Sequence, residues 1–273
     1  MNRRSLLLGL AACACGSRRK RGPFVRAALS VARAAGQQAI EESASWAELE
    51  RLAESLRGEL ERAPQRSVAS VFGEALFERW GFAREVADTS LRYVLLPSVL
   101  RARRGNCVGL GSLTLALAEM LGHSAQGVLM PGHFYVRFSE PSGARNLELL
   151  RRGEAMSNAW YAERFPIPGG SAPEYARPLS IREVQGVIEY DVGNERRRQL
   201  RLVDARAAYA NAVALFPQLA EAHASLGATL QLLGQFDDAA ASYARARAAN
   251  PNLPGVDRNR ALLEEERGAP TAR

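Results

Sequence analysis

Residues 103–150 read RRGNCVGLGSLTLALAEMLGHSAQGVLMPGHFYVRFSEPSGARNLELL, and a change of period inside this stretch decides the fold. Gly105-Asn106 is a turn signal. Val108, Leu110, Leu113, Leu115, Leu117, Ala118 and Leu121 then fill a helix that stops at Gly122. Beyond it the pattern shortens to alternation. One strand spans Gln126 to Met130, Pro131-Gly132 makes a turn, and a second strand spans His133 to Phe138. A loop rich in Pro, Ser and Gly (Glu140 to Ala144) leads to a third, Arg145 to Leu149. Loops this short join antiparallel neighbours. The stretch predicts an α+β core, with helices packed on a small antiparallel sheet.

Strand parity places the polar residues. Phe134, Val136 and Phe138 form one apolar face, and Leu147 and Leu149 form the next. Both sets must reach the same core, so even residues of the first strand oppose odd residues of the second. His133, Tyr135 and Arg137 then share the other face with Asn146 and Glu148. A symmetric loop sets Glu148 opposite Tyr135 and diagonal to His133, within side-chain reach.

Cys107 falls at the start of the helix. The helix dipole and free backbone N–H groups there favour a thiolate, and could receive an oxyanion. A cysteine at a helix start, an imidazole on a strand and a polar residue on the neighbouring strand are the parts of a cysteine acyl-transfer site. Cys107 would be the nucleophile and His133 the acid–base. Glu148 would orient the imidazole, with Asn146 on the same face as the alternative.

The segments GNCVGLGSLTLALAEMLG, GVLMPGHFYVRF and NLE, preceded by LFERWGF, resemble the transglutaminase-like core of a bacterial family that couples this core to TPR repeats, the SirB-type proteins among them. The match covers about Phe72 to Gly153. The resemblance implies a papain-like fold with Cys107, His133 and Glu148 at the triad positions. Many transglutaminase-like enzymes have Asp where this chain has Glu148.

The flanks predict three regions: 1–22, 23–183 and 184–268. The first opens MNRRSLLLGLAACAC, a short basic region followed by an apolar run too short to span a bilayer. Leu10-Ala11-Ala12-Cys13 resembles a lipobox, which would make Cys13 the lipid-bearing residue and place the protein in the bacterial cell envelope. Cys15 is a second candidate, and Gly16 to Gly22 reads as a tether. In the middle region one helix is expected over Val25 to Ile40. Another starts after Ser45 as N-cap with Glu48 as its capping-box partner, and a third runs from Val68 to Trp80. Residues 84–103 read as helical or irregular, interrupted at Pro97. Residues 154–180, rich in Pro and Gly, could form a lid.

In the last region Ala239, Tyr243, Ala246 and Pro251 recur 34 positions earlier as Ala205, Tyr209, Ala212 and Pro217. That is the period of an all-α TPR module, here with its first helix, around Val187 to Arg198, degenerate and with Val256 to Arg267 as a cap. Such repeats bind peptides or proteins, or else extend the neighbouring core.

Composition removes other classes. Apolar residues make up 47% of the chain and charged residues 24%, which is globular usage. The net charge of +7 comes almost entirely from arginine, without the interleaved aromatic and basic stripe of a nucleic-acid binder. The 3 cysteines and 3 histidines lack metal-ligand spacing, so neither a zinc site, a disulfide framework nor a cofactor is expected.

Overall fold

A computed structural model describes residues 22–37 and 39–268 of the 273-residue chain. The signal-like segment, Cys13 and Cys15 lie outside the described residues. Helix α1 (Pro23–Ala34) is followed by α2 (Ala39–Arg62) and α3 (Val68–Glu74), the last continuing as a π-helical turn, Ala75–Arg79. Next come β1 (Ala83–Arg84), a 3-10 turn at Leu91–Tyr93, α4 (Leu96–Ala102) and β2 (Arg104–Gly105). The central segment holds α5 (Cys107–Leu121), β3 (Ala125–Met130), β4 (His133–Glu140), β5 (Gly143–Glu148), β6 (Glu154–Met156) and α6 (Asn158–Arg164). Five helices complete the chain: α7 (Ile181–Arg198), α8 (Leu202–Leu215), α9 (Ala220–Leu232), α10 (Phe236–Ala249) and α11 (Val256–Gly268). No helix among the described residues is long and apolar enough to cross a membrane.

The architecture grows from α5. Every residue from Val108 to Ala118 is buried, so this helix, apolar all round, forms the centre of the core rather than its edge. The four strands β3-β4-β5-β6 form an antiparallel sheet in sequence order, and one face of it packs on α5. Phe134, Val136, Phe138, Leu147 and Leu149 all lie in that core. The close fit depends on two glycines. A Cβ at Gly111 or Gly127 would meet the Phe134 ring at 2.5 or 2.3 Å, far inside contact distance.

The register follows parity. Val136 pairs with Leu147 and Arg137 with Asn146, which carries Tyr135 to the level of Glu148. The turn between β4 and β5 is tighter than the sequence suggests, because the strands pair out to Glu140 and Gly143. The other sheet face is also covered. Val128, Met130, Tyr135 and Tyr161 form a second apolar cluster beneath α6.

Three local expectations are corrected. Ser45 does not cap a helix. It lies inside α2, and its hydroxyl donates to the carbonyl of Glu41 at 2.6 Å, a bond open to serine within a continuous helix. Gly36, in the left-handed region at φ 103°, instead separates α1 from α2. Pro97 starts α4 in its first turn rather than interrupting a helix.

Helix α1 is pinned by an acid from α5. The N–H groups of Phe24 and Val25 donate to the Glu119 carboxylate at 2.8 and 3.1 Å, a favourable charge at a helix start.

The C-terminal helices repeat in space as in sequence. Gly193 faces the Tyr209 ring as Gly227, 34 positions on, faces the Tyr243 ring; a Cβ at either glycine would come within 2.6 or 2.8 Å of its ring. The first helix of the earlier repeat therefore keeps the small residue that lets its partner approach, although its sequence looks degenerate. Residues of α7 and α8, with Phe216, Leu219 and Ala222, share the core built on α1 to α5, so the hydrophobic interior runs across position 183 without a break.

Candidate functional site

The motif around Cys107 places the sulfur. The Asn106 side chain accepts from the Gly109 N–H at 2.8 Å and so caps α5. The Tyr93 carbonyl accepts from the Asn106 N–H at 2.9 Å and holds the turn from outside. Cys107 is thereby fixed at the first helical position, half-buried, with the backbone N–H groups of Val108 and Phe134 directed at its sulfur.

His133 opens β4 and Glu148 closes β5. Their side chains meet, His133 Nε2 to Glu148 Oε2, at 2.7 Å, with only 4% and 1% of each residue exposed. The second oxygen, Oε1, accepts from the Leu150 N–H at 2.8 Å. An ionised carboxylate can only accept, so it keeps the proton on Nε2 and leaves Nδ1 as the basic nitrogen. The ring is clamped from its face by Phe165, stacked at 4.2 Å and 7°. Tyr161 stacks on Tyr135 beside it at 3.7 Å.

Asn146, the alternative orienter, is engaged elsewhere. Its oxygen accepts from Arg137 Nε at 2.8 Å, and its nitrogen donates to the Met156 carbonyl and to Asn158 Oδ1. It lies two residues further from His133 along β5, where Arg137 is its cross-strand neighbour.

Cys107 and His133 line one cavity of about 470 Å³, between the end of the sheet, α5 and the C-terminal helices. The sequence reading missed three groups here. Asp191 of α7 and Glu221 of α9 line the cavity, and Phe165 closes the histidine face. Asp191 is brought there by α7, which Ser180 opens with a capping box on Glu183. Burial pushes the Asp191 carboxyl up to about 7, partly offset by a hydrogen bond from Asn106. Burial likewise raises Glu221, which Tyr175 hydrogen-bonds through its hydroxyl.

These groups reverse the electrostatic expectation for the thiol. A helix start alone would favour the thiolate, and the N–H groups of Phe134 and Val108 act in that direction. Burial and the nearby charges of Asp191 and Glu148 outweigh them and push Cys107 up to about 12. Alkylation of Cys107 by iodoacetamide is therefore expected to keep climbing with pH beyond 9. An ordinary thiol levels off above its pKa of about 8.5. A plateau near pH 8, measured by mass spectrometry of the alkylated peptide, would show the balance to be wrong.

A family model described as "Transglutaminase-like superfamily" matches residues 44–185, a span that contains Cys107, His133 and Glu148. No curated protein matches the chain. Among solved structures, one of menin, described as revealing the binding site for Mixed Lineage Leukemia (MLL) protein, is similar at 11% identity and a TM-score of 0.41. That match covers 89% of this chain and 69% of menin's. With half of its length matched, and with a helix–sheet core over that span, the chain belongs to the transglutaminase-like superfamily.

Proposed function

We propose that this chain performs cysteine acyl transfer on amide bonds in a papain-like arrangement. The buried 2.7 Å pair of His133 and Glu148, set in the cavity that also holds Cys107, is the observation that carries this reading. Cys107 attacks the carbonyl carbon while its proton passes to His133. The C–N bond then breaks, His133 returns the proton to the leaving amine, and a thioester remains on Cys107. Water completes hydrolysis or deamidation, and a second amine completes cross-linking. Glu148 holds the ring and stabilises its cation. The N–H groups of Val108 and Phe134, already aimed at the sulfur, are the candidate oxyanion donors.

In the same reading the chain is a SirB-type envelope lipoprotein anchored through Cys13. Its C-terminal helices are TPR repeats that bind a protein or peptide, supported by the 34-residue repeat of Gly193 and Tyr209 at Gly227 and Tyr243. The second reading is a catalytically silent scaffold that binds protein partners, favoured by the high pKa of the thiol.

An activated ester, p-nitrophenyl acetate, separates the two. Acyl transfer is expected to release a burst of p-nitrophenolate with acetylated Cys107. The burst should vanish in Cys107→Ala and slow by roughly 10²-fold or more in His133→Ala. A His133→Ala rate equal to that of the parent chain leaves only the scaffold.

A further inference from the structure

Residues 165–180 run as a strap between α6 and α7, and the strap touches three parts of the molecule. At its start Phe165 stacks on the His133 ring. Further on it lies along β3, the edge of the sheet. There the Ala176 N–H donates to the Leu129 carbonyl at 2.9 Å and the Leu179 N–H to the Gly127 carbonyl at 2.8 Å. Between these contacts it meets the C-terminal helices. Asn250, which caps the end of α10, donates through Nδ2 to Glu174 Oε1 at 3.0 Å, and the Tyr175 hydroxyl donates to Glu221 Oε1 of α9.

The two carboxyls of this seam are closed off without a cation. Glu174 is 0% exposed. Its Oε2 and that of Glu221 are both buried with no hydrogen-bond partner, and neither residue has an ion-pair partner among the described residues. Two ionised groups sealed in this way cost far more than two neutral carboxyls. Burial accordingly raises both, and the Glu221 charge adds to the rise at Glu174. Tyr175 and Arg177 face the pair from the strap and Tyr190 faces it from α7. Burial pushes both tyrosines up, so they stay neutral, and the Arg177 guanidinium is engaged with Glu183 and Gln218. Asn250 brings no charge. Glu85, Cys107, His133 and Asp191 share the cavity that Glu221 lines, and none of them pairs with it. His223, two residues along α9, faces the Pro217 carbonyl instead.

We propose that the strap is a proton-operated latch on the candidate catalytic site. With Glu174 and Glu221 protonated it docks on the C-terminal helices and seats Phe165 on His133; their ionisation releases it. The latch rests on the acyl-transfer reading for its consequence, because the ring that Phe165 clamps is the one that takes the thiol's proton. The strap also carries strain that release relieves: Ala176 sits in the left-handed region at φ 58°, a conformation unfavourable to alanine. In a released strap both carboxyls meet water and return to the ordinary glutamate value of about 4.3. Docked, both are held above it. Docking therefore has its full strength below about pH 4 and weakens as pH rises through the docked values.

Hydrogen exchange of the full chain, read by mass spectrometry as protection factors so that the intrinsic pH dependence cancels, tests the latch. Protection of the segment 166–179 should fall at least about tenfold between pH 5 and pH 9, while that of α5 holds. The double substitution Glu174→Gln and Glu221→Gln, neutral and nearly isosteric, should flatten the fall, and Glu174→Gln alone should roughly halve it on a logarithmic scale. A parent chain whose strap protection does not change over that range overturns the latch without any variant. So does a fall of the same size in Glu174→Gln, which also decides the matter if the double variant does not fold. The two readings fail separately. Flat protection with an intact His133-dependent ester burst removes only the latch. A strap that opens with pH beside a burst indifferent to His133 removes only acyl transfer.

Discussion

Glu148→Ala is expected to destabilise the protein by about 1–3 kcal/mol, the range seen when a buried donor is left without its acceptor. Glu148 is 1% exposed, and its two oxygens satisfy His133 Nε2 and the Leu150 N–H. Alanine would strand both donors where the stacked Phe165 and Tyr161 rings exclude water. For a chain of this size each kcal/mol lowers Tm by roughly 2–4 °C. Glu148→Gln keeps an acceptor and the volume, so it should recover much of the stability while still lacking the charge that favours an imidazolium. Chemical denaturation of the three proteins provides the comparison. A loss below about 1 kcal/mol in the alanine variant would mean that the pair is not maintained in solution.

Gly109→Ala is expected to be equally damaging, against the usual helical preference for alanine of up to about 1 kcal/mol. A Cβ there would sit 2.2 Å from the Tyr93 carbonyl oxygen and 2.8 Å from Val99 Cγ2. The carbonyl cannot easily retreat, because it already accepts from the Asn106 N–H. Relief therefore requires the start of α5 to move outward, and Cys107 with it. Overpacking of this kind costs typically 1–3 kcal/mol, and a displacement of about 1 Å at a reacting atom is worth on the order of 10² in rate. The ester burst and a denaturation curve measure the two effects. A Gly109→Ala protein with parental stability and burst rate would contradict the tight approach of Tyr93.

The hairpin was legible in the sequence because its information is local. A two-residue period and one short loop are enough to put Glu148 on the face of His133 and beside it. The choice between Glu148 and Asn146 was not legible, since both share that face. It is decided by Arg137, which occupies Asn146. Asp191 and Glu221 gave no signal at all. Asp191 is one acid among several on a charged helix, Glu221 is the single acid of a mostly apolar one, and only tertiary packing brings α7 and α9 to the cavity. For the same reason the helix-start argument located Cys107 correctly but misjudged its thiol. Local dipoles are visible in a sequence, whereas desolvation and distant carboxylates are not. Residues 154–180 read as a possible lid, but the helix α6 within them was hidden, because the Pro and Gly content of that stretch reads as loop. Ser45 shows the converse error, a capping signature that a longer helix absorbs.

The grip of Glu119 on the first turn of α1 has a geometric consequence. Glu119 stands 12 residues along α5 from Cys107, roughly 18 Å at 1.5 Å per residue. The first turn of α1 is thus fixed at one pole of this rod and the sulfur lies at the other. Any change in packing at the first turn of α1 is therefore felt at the end of α5 remote from the thiol.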